Sequence, residues 1–141
     1  MTLNEHLELV VGPPSVAEYM HLRKECGLSQ KTAEQSEIAI AGTWFSCHVR
    51  DAKTDQAIAM GRVIGDGGWC FLIADMATLP QYQGNGLGRR VIDTLVAHIR
   101  ANAPQNPFIT LVADPAGRRL YEQVGFSEIN PSRAMELPWS R

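Results

Sequence analysis

The chain has 141 residues, of which 45% are hydrophobic and 20% are charged, and its formal net charge is -2. This length and composition are typical of one globular domain with a hydrophobic core. Because the chain has no basic run and no interleaved basic and aromatic residues, we do not expect it to bind nucleic acid.

Membrane association and metal binding are also not expected. No apolar stretch approaches the roughly 18 residues of a membrane helix, and the N-terminal segment lacks the pattern of a signal peptide. Three cysteines, Cys26, Cys47 and Cys70, form no CxxC motif, which favours free thiols in the reducing cytoplasm. The four histidines lie far apart in the sequence, so their spacing indicates no metal site.

The first part of the chain predicts one strand and two helices. Residues 7–11 form a short apolar run that ends at a Gly-Pro-Pro sequence, which is typical of a strand. Ser15 and Glu18 then match a capping box, and helical spacing continues as far as Cys26. A second helix is predicted over residues 29–41, although its apolar face is weak.

Three strands are predicted next. Residues 44–50 alternate apolar and polar side chains as a half-buried strand does, and residues 57–64 return antiparallel to them after a turn. Residues 69–79 form the longest strand candidate, within which Asp75 carries the only charge. Pro80 ends this strand.

The loop after this strand contains three glycines and leads into an amphipathic helix. Glycines at a helix entrance let a ligand approach the backbone, and the exposed N–H groups there bind anions. Arg89 and Arg90 lie in the first turn, where the helix dipole favours acidic side chains, so a bound phosphate would explain them. A tight turn with two solvated arginines is the alternative. The predicted buried face of this helix, which runs to about residue 103, consists of Leu87, Val91, Ile92, Leu95, Val96 and Ile99.

The last part of the chain predicts a strand, a helix and a short terminal strand. Residues 108–113 are a compact apolar run typical of a buried strand. Asp114 and Pro115 suit the N-cap and the first position of a helix that ends at Gly125. The best strand candidate in the tail is residues 134–137. Together these elements predict a single α/β domain over residues 1–141.

The chain contains the sequences Gln83-Gly84-Asn85-Gly86-Leu87-Gly88 and Leu120-Tyr121-Glu-Gln-Val-Gly125-Phe126. In this element order they resemble two motifs of the GCN5-related N-acetyltransferase (GNAT) family. The family's coenzyme motif is Gln or Arg, two residues, Gly, one residue, then Gly or Ala, and the first sequence matches it. The family's second motif, LYxxxGF, matches the second sequence. The resemblance covers essentially the whole chain. It implies an α/β (α+β) fold with a mixed, mostly antiparallel sheet of six to seven strands flanked by about four helices.

Other glycine-rich nucleotide motifs do not match. A P-loop requires a lysine after its glycines, and none follows here. A dinucleotide fingerprint requires GxGxxG, whereas no third glycine follows Gly86-Leu-Gly88 at that spacing. The coenzyme motif of the resembled family is therefore the better match.

The resemblance implies acetyl-CoA as co-substrate and no metal. The loop amides from Gly84 to Arg89 would hold the pyrophosphate, and the strand backbone before Pro80 would bind the pantetheine arm. Many family members have Asn where this chain has Asp114, so that contact is less well supported. The residues implied in coenzyme binding are Met76, Ala77, Leu79, Gln83, Gly84, Asn85, Gly86, Leu87, Gly88, Arg89, Asp114 and Tyr121.

The implied reaction is the attack of an amine on the thioester carbonyl. A primary amine with a pKa near about 10 must first lose a proton at neutral pH, and the leaving thiolate needs a proton donor. Tyr121 matches the family's general acid, although an aromatic residue that only packs under the helix end is the alternative. Asp75 is the candidate base, because burial raises the pKa of a carboxyl. A structural aspartate, one that orients the amine, or a water chain as base are equally compatible with the sequence.

The resemblance implies an N-acetyltransferase. The short chain, which has no acidic run to build a groove for a protein, favours the primary amine of a small molecule as the acceptor. The alternatives are a non-catalytic coenzyme A-binding regulatory module and a protein N-terminal or lysine acetyltransferase. Acidic and aromatic residues on elements that form acceptor walls in the family, among them Glu37 and Trp44, suit a cationic amine. The apolar tail residues Met135, Leu137 and Trp139 predict a possible homodimer.

Overall fold

The computed structural model describes residues 3–139, and the chain divides into two compact units at Leu111 and Val112. The first unit comprises β1 (Leu7–Val11), α1 (Val16–Glu25), α2 (Ala33–Ala41), β2 (Phe45–Asp51), β3 (Gln56–Gly65), β4 (Cys70–Thr78), α3 (Leu87–Asn102) and β5 (Phe108–Leu111). Short 3-10 turns occupy Leu3–His6 and Pro80–Tyr82. The second unit holds α4 (Arg118–Val124). The prediction of a single domain concerns both units together and stays a prediction.

The sheet of the first unit has the strand order β1-β2-β3-β4-β5. The first four strands pair antiparallel with their neighbours, and β5 pairs parallel with β4. The predicted mixed, mostly antiparallel sheet and about four helices are therefore confirmed. The two faces of the sheet differ in what covers them, because successive residues of a strand point to opposite sides.

The predicted number of six to seven strands was wrong, since the described residues form five. The predicted tail strand at residues 134–137 is absent from residues 126–139. Met135 and Leu137 are 95% and 97% exposed, so their alternation buries neither face. Alternating apolar and polar residues form a strand only where the apolar side chains are buried and the backbone pairs with a neighbouring strand.

The helix α3 covers one face of the sheet with the residues that its periodicity predicted. Its buried residues are Leu87, Val91, Ile92, Leu95, Val96 and Ile99. Gly61 of β3 lies beneath it, because a Cβ at that position would be 2.8 Å from Val91 Cγ1. Arg62, the next residue, points to the opposite face, where its Nη1 lies 3.3 Å from the Ala39 carbonyl of α2.

The helix α1 begins with the predicted capping box. Ser15 Oγ accepts from the Glu18 N–H, and Glu18 accepts from the Ser15 N–H, both at 3.1 Å. Glu18 also accepts from Arg50 Nη2 at 2.9 Å and from the Ala57 N–H at 2.8 Å, which joins α1 to the β2–β3 hairpin. Partial burial opposes ionisation of Glu18, but these hydrogen bonds outweigh it and lower its pKa to about 2.

The helix α2 begins at Ala33 and not at residue 29 as predicted. Thr32 and Gln35 form a second capping box there, with reciprocal hydrogen bonds of 3.0 and 2.9 Å. Ser29 is instead held by Arg23, whose guanidinium donates to both its carbonyl and its hydroxyl. The segment before Thr32 is therefore fixed by a side-chain contact from α1 that periodicity does not reveal.

Two further predictions need correction. The strand β5 ends at Leu111, not at residue 113, and it is only half-buried, with Phe108 45% exposed. In the second unit, α4 begins at Arg118 with Gly117 as its N-cap, so Asp114 is not the predicted cap. The Asp114 carbonyl instead accepts from the Gly117 N–H at 2.9 Å, which makes residues 114–117 a turn that precedes the helix.

Candidate active site

The glycine-rich loop between β4 and α3 presents a row of free backbone donors. None of the N–H groups from Gly84 to Arg89 donates a hydrogen bond within residues 3–139. Gly84 and Gly86 have φ angles of +81° and +76°, and a Cβ at either position would meet no atom within 4 Å. The loop therefore combines a left-handed backbone that requires glycine with open space at a helix N-terminus, which together suit an anion.

Side chains on both sides of this loop hold its conformation. Tyr82 Oη donates to Asp51 Oδ2 at 2.7 Å, which lowers the pKa of Asp51 and raises that of Tyr82. Gln83 Nε2 donates to the Thr78 carbonyl at 3.0 Å, and Asn85 Nδ2 donates to the Tyr82 carbonyl at 2.9 Å. The predicted site residues Gln83 and Asn85 therefore shape the loop and leave its backbone N–H groups free.

The first turn of α3 contains the remaining predicted loop residues. Leu87 is buried against the sheet, whereas Gly88 is half-buried. Arg89 is exposed, and its Nε donates to both carboxylate oxygens of Asp93 at 2.9 and 3.0 Å. This pair leaves the two terminal guanidinium nitrogens of Arg89 without a hydrogen bond in the described part of the chain, so they remain able to bind an anion.

The strand β4 extends beyond its neighbour at the end that leads to the loop. Its parallel pairing with β5 stops at Ile73 and Leu111, whereas β4 continues to Thr78. Met76 and Ala77 therefore have β3 on one side and no strand on the other among the described residues. Leu79, just after the strand, is buried and donates its N–H to the Ile58 carbonyl at 2.9 Å. This open edge leaves backbone groups of β4 available to an extended ligand.

Asp75 interrupts the regular pairing of β3 with β4. It has a φ of +57°, which is uncommon for a residue other than glycine. The register shifts at this point, because Arg62 pairs with Ala74 while Met60 pairs with Ala77. The resulting bulge directs the Asp75 carboxylate to the face covered by α1 and α2.

Three side chains bind the Asp75 carboxylate, which is 9% exposed. Tyr19 Oη and Arg62 Nε each donate to Oδ2 at 2.5 Å, and Arg23 Nη1 donates to Oδ1. Burial and the adjacent carboxylate raise the pKa of Tyr19, so its phenol stays protonated as a donor. Both carboxylate oxygens are thus engaged by protein donors. Of the roles that the sequence left open for Asp75, this geometry favours a structural one, and its role as base stays a prediction.

A small pocket lies beside this carboxylate, on the face of the sheet opposite α3. Its lining includes Pro14, Tyr19, Ile40, Thr43, Arg62 and Asp75. The sequence analysis missed Arg62 and Tyr19 as site residues. The available signal was a charged residue in the middle of the apolar strand β3. Its partners lie too far away in the sequence to be found by spacing.

The second unit contains the LYxxxGF motif. Gly117 lies against Tyr121, since a Cβ there would be 2.7 Å from Tyr121 Cε2. The helix ends at Gly125, whose φ is +117°, and the Phe126 ring contacts the Tyr121 ring edge-on with centroids 6.3 Å apart. Burial and the negative charge of Asp114 raise the pKa of Tyr121. Its hydroxyl is therefore protonated at neutral pH, as a general acid must be.

The described residues contain no cluster of side chains suited to binding a metal ion. Within residues 3–139, no group of three His, Cys, Asp or Glu side chains could hold a metal ion. The thiols of Cys26, Cys47 and Cys70 are free, and burial raises the pKa of Cys47 to about 12. None of the helices described has the length and apolar character needed to cross a membrane.

Residues 29–136 match the family model of the acetyltransferase (GNAT) domain. Three curated proteins are similar over part of this chain. GCN5-related N-acetyltransferase 1 of Arabidopsis thaliana chloroplasts is 28% identical over 71% of this chain and 50% of its own length. The chloroplastic serotonin N-acetyltransferase 2 of Oryza sativa subsp. japonica is 37% identical over 54% of this chain and 37% of its own length. The [ribosomal protein bS18]-alanine N-acetyltransferase of Haemophilus influenzae is 30% identical over 40% of this chain and 38% of its own length.

Solved structures match almost the whole chain. A probable acetyltransferase from meticillin-resistant Staphylococcus aureus has a TM-score of 0.87 and 32% identity, over 94% of this chain and 99% of that one. A predicted acetyltransferase from Clostridium acetobutylicum, solved with acetyl-CoA, has a TM-score of 0.70 and 18% identity, over 92% of this chain and 96% of that one. The second likeness shows the fold alone. The chain spans half or less of the curated relatives above, but nearly all of these two structures.

Proposed function

The chain belongs to the GNAT acetyltransferase family, and we propose that it transfers an acetyl group from acetyl-CoA to the primary amine of a small molecule. Family membership supports acetyl transfer to an amine, and the small-molecule acceptor is the further step. The observation that carries the proposal is the row of free N–H groups from Gly84 to Arg89 at the start of α3.

The residues of the loop and of β4 fit a coenzyme A molecule. Its pyrophosphate carries two negative charges, which the free N–H donors, the helix dipole and the Arg89 guanidinium complement. The open edge of β4 at Met76 and Ala77 offers backbone groups to the amides of the pantetheine arm, as an added strand would use them. When bound, acetyl-CoA supplies an acetyl group already activated as a thioester.

We assign Tyr121 as the general acid that donates a proton to the leaving sulfur. Its place in the LYxxxGF motif supports this role, and so does its raised pKa, which keeps the hydroxyl protonated at neutral pH. Asp114, at the turn before α4, contributes the negative charge that helps to raise this pKa. Its predicted contact with the coenzyme stays a prediction.

Proton removal from the amine has two candidates. The first is Asp75, whose oxygens would have to exchange a hydrogen bond from Tyr19 or Arg62 for one from the amine. The second is a water molecule that passes the proton to solvent. We favour water, because both oxygens of the Asp75 carboxylate already accept hydrogen bonds from Tyr19, Arg23 and Arg62. In this proposal Asp75 holds the arginine and tyrosine side chains in position.

The proposal is tested by measuring thiol release from acetyl-CoA with a panel of small primary amines. Turnover with at least one amine, and acetylation of that amine shown by mass spectrometry, is the expected result. Calorimetry with acetyl-CoA alone measures binding in the same preparation. Tight binding without turnover on any amine would support the alternative of a non-catalytic coenzyme A-binding module.

A protein acceptor is the second candidate function. The similarity to a ribosomal-protein alanine N-acetyltransferase over 40% of the chain favours it. Incubating a cell lysate with the protein and labelled acetyl-CoA would reveal acetylated N-termini or lysines by mass spectrometry. If only small amines become labelled, the small-molecule proposal stands.

Two wider proposals concern location and assembly. We propose a cytoplasmic location, because Cys26 and Cys70 are free and only half-buried, which suits a reducing compartment. We also propose a homodimer, because the tail residues Met135, Leu137 and Trp139 are almost fully exposed.

A further inference from the structure

We propose that the acceptor amine also carries an anionic group, a carboxylate or a phosphate, and that Arg62 binds this group in the pocket between the sheet and α1 and α2. The inference rests on the proposed function and names the substrate class of that site. It is carried by an excess of positive charge at the pocket and by unused donors on one side of the Arg62 guanidinium.

The charges at the pocket do not cancel. Arg62 and Asp75 are the charged residues of its lining within the described chain, and Arg23 binds Asp75 from α1. Two guanidinium groups thus surround one carboxylate, and the side chains of all three residues are 16% exposed or less. The C-terminal end of α2 offsets only about half a charge. A buried excess cation is unfavourable until an anion pairs with it.

Every guanidinium nitrogen of Arg23 already donates a hydrogen bond. Its Nε and Nη2 donate to the Ser29 carbonyl at 3.1 and 2.8 Å, and Nη2 also donates to Ser29 Oγ at 3.1 Å. Its Nη1 donates to Asp75. Because every nitrogen is engaged, Arg23 acts as a positioning residue that anchors Asp75 and the segment before α2.

Arg62 has donors to spare. Its Nε donates to Asp75 at 2.5 Å, but its Nη1 makes only long contacts, 3.3 Å to the Ala39 carbonyl and 3.4 Å to Thr43 Oγ1. Its Nη2 has no hydrogen bond with any residue from 3 to 139, and it is not a fully buried atom. The outer edge of this guanidinium thus has one free nitrogen, Nη2, and one that makes only long contacts, Nη1. An anion that displaces the Nη1 contacts would accept the parallel pair of hydrogen bonds that suits a carboxylate or phosphate.

Apart from Arg62 and Asp75, the polar side chains that line the pocket carry neutral hydroxyl groups. Thr43 and Ser46 line the pocket, and neither competes with an anion by charge. Glu37, which the sequence associated with a cationic acceptor, is exposed on α2 and is not part of the lining. Trp44, named with it, packs against Phe71 with ring centroids 4.8 Å apart. We therefore propose that the pocket selects for a negative group on the acceptor, whereas the preference for a cationic amine stays a prediction.

The test uses paired amines with and without the anionic group: an ω-amino acid, whose amine lies far from the carboxylate, against its amide, and an aminoalkyl phosphate against the corresponding amino alcohol, with kcat/KM expressed per concentration of unprotonated amine. We expect kcat/KM for the preferred anionic member to exceed that of its neutral partner by about tenfold or more, mainly through KM. The two pairs distinguish a carboxylate from a phosphate. Equal kcat/KM values within both pairs would overturn the inference.

Substitutions at Arg62 and Thr43 test whether the Arg62 guanidinium causes the preference for anionic amines. Arg62→Gln is expected to bring the anionic-to-neutral ratio close to one, whereas Arg100→Gln, which removes an exposed arginine of α3, should leave the ratio as it is. Since Arg62→Gln also takes a partner from Asp75, Thr43→Asp provides a second route. It keeps the Arg62–Asp75 pair and places a carboxylate beside the outer edge of the Arg62 guanidinium, so it should abolish the preference, with Thr43→Asn as its uncharged control.

Binding is measured separately from turnover, so that failure of the proposed function does not obscure the result. Calorimetry of the amines with coenzyme A-bound protein is expected to show the same order of affinities as kcat/KM. If no amine is acetylated but the anionic amines bind and Thr43→Asp removes their binding, the substrate class stands and the catalytic proposal fails. If neutral and anionic amines bind alike, Arg62 is not the determinant and the inference is wrong.

Discussion

Tyr121 lies on α4, and its hydroxyl group is protonated at neutral pH. Burial and Asp114 raise its pKa above the ordinary value of 10.0, so the hydroxyl remains a donor throughout the neutral range. Tyr121→Phe removes the proton while keeping the ring that packs near Phe126. We expect kcat to fall about 100-fold with little change in the Kd of acetyl-CoA, because general acid catalysis contributes about that much.

The measurement is a pH profile of kcat together with calorimetry of coenzyme binding. The wild-type protein should lose activity as its tyrosine deprotonates above pH 10, and the phenylalanine variant should lack this step. An unchanged rate across the pH range would remove Tyr121 from the mechanism, and loss of coenzyme binding would assign it a structural role.

Gly117 provides the space that the Tyr121 ring occupies. A methyl group there would come within 2.7 Å of Tyr121 Cε2, closer than carbon atoms pack. Gly117→Ala is therefore expected to displace the ring and lower kcat at least about tenfold, since small misplacements of catalytic groups are costly. In Gly68→Ala the new methyl would lie 3.5 Å from its nearest neighbour, Asp66 Oδ1, so this variant serves as the control. Equal rates for the two variants would contradict the role of Gly117.

At the residue scale, the sequence reveals groups that belong to short motifs and misses those that meet through the fold. Gln83 to Gly88 and Leu120 to Phe126 are recognisable because each motif is contiguous. The donors to Asp75 come from residues 52 and 56 positions earlier on α1 and 13 positions earlier on β3. Neither periodicity nor spacing brings these side chains together, so the pocket and its excess charge emerge only from the sheet register.

The loop before α3 depends on a glycine with a positive φ. Gly86→Val places a β-branched side chain at a φ of +76°, beside the free N–H groups that would bind pyrophosphate. We expect coenzyme affinity to fall by at least about 100-fold, as measured by calorimetry. Gly27→Val is a matched control, since Gly27 has a φ of +73° and equally open space but follows α1. Normal affinity in Gly86→Val would remove the loop from the coenzyme site.

Glu18 joins three elements through a carboxylate whose pKa is lowered to about 2. A lowered pKa in the folded state stabilises the protein above the ordinary value near 4.5, and the stabilisation is lost as the pH falls towards 2. Glu18→Gln is expected to reduce the free energy of unfolding at pH 7 by about 1–2 kcal/mol, less than the full pKa shift implies because solvent reaches the ion pair with Arg50.

Urea unfolding between pH 7 and pH 2 measures this effect. The difference between wild type and Glu18→Gln should be largest above pH 5 and should disappear near pH 2. Glu25→Gln, at the exposed end of the same helix, should differ little from wild type at any pH. A difference for Glu18→Gln that is independent of pH would show that shape, and not charge, is what this contact contributes.

Element prediction succeeded where the local pattern and the fold agree. The α3 face and the α1 capping box follow from spacing, because burial and capping act within a few residues. The starts of α2 and α4 were misplaced because the sequences before them also suit a helix. In the structure, Arg23 holds Ser29 outside α2, and the turn from Asp114 to Gly117 delays α4. The first residues of α2 and α4 therefore depend on particular side-chain and turn hydrogen bonds, which the spacing of apolar residues does not encode.

At the scale of the whole molecule, the strand count shows what a pattern cannot decide. Residues 135, 137 and 139 alternate as a strand does, but a strand needs a neighbour, and the described chain supplies none for this tail. Among residues 3–139, the sheet also ends at β5, which pairs with β4 on one side and with no strand on the other. An unpaired edge and an exposed apolar tail are both features that proteins usually cover.

A second copy of the chain would cover both features at once. The tail of one copy could add a strand to the β5 edge of the other, burying Met135, Leu137 and Trp139, which are 95%, 97% and 88% exposed. We expect light scattering after size exclusion to give the mass of a dimer. Leu137→Lys should shift the protein towards monomer, because a charge cannot be buried in that interface without a partner. Glu136→Lys introduces the same side chain one position earlier, where it would point away from the interface in the added strand, so it should leave the dimer intact. A wild-type monomer at every accessible concentration, or equal dissociation by both variants, would rule out this apolar seam.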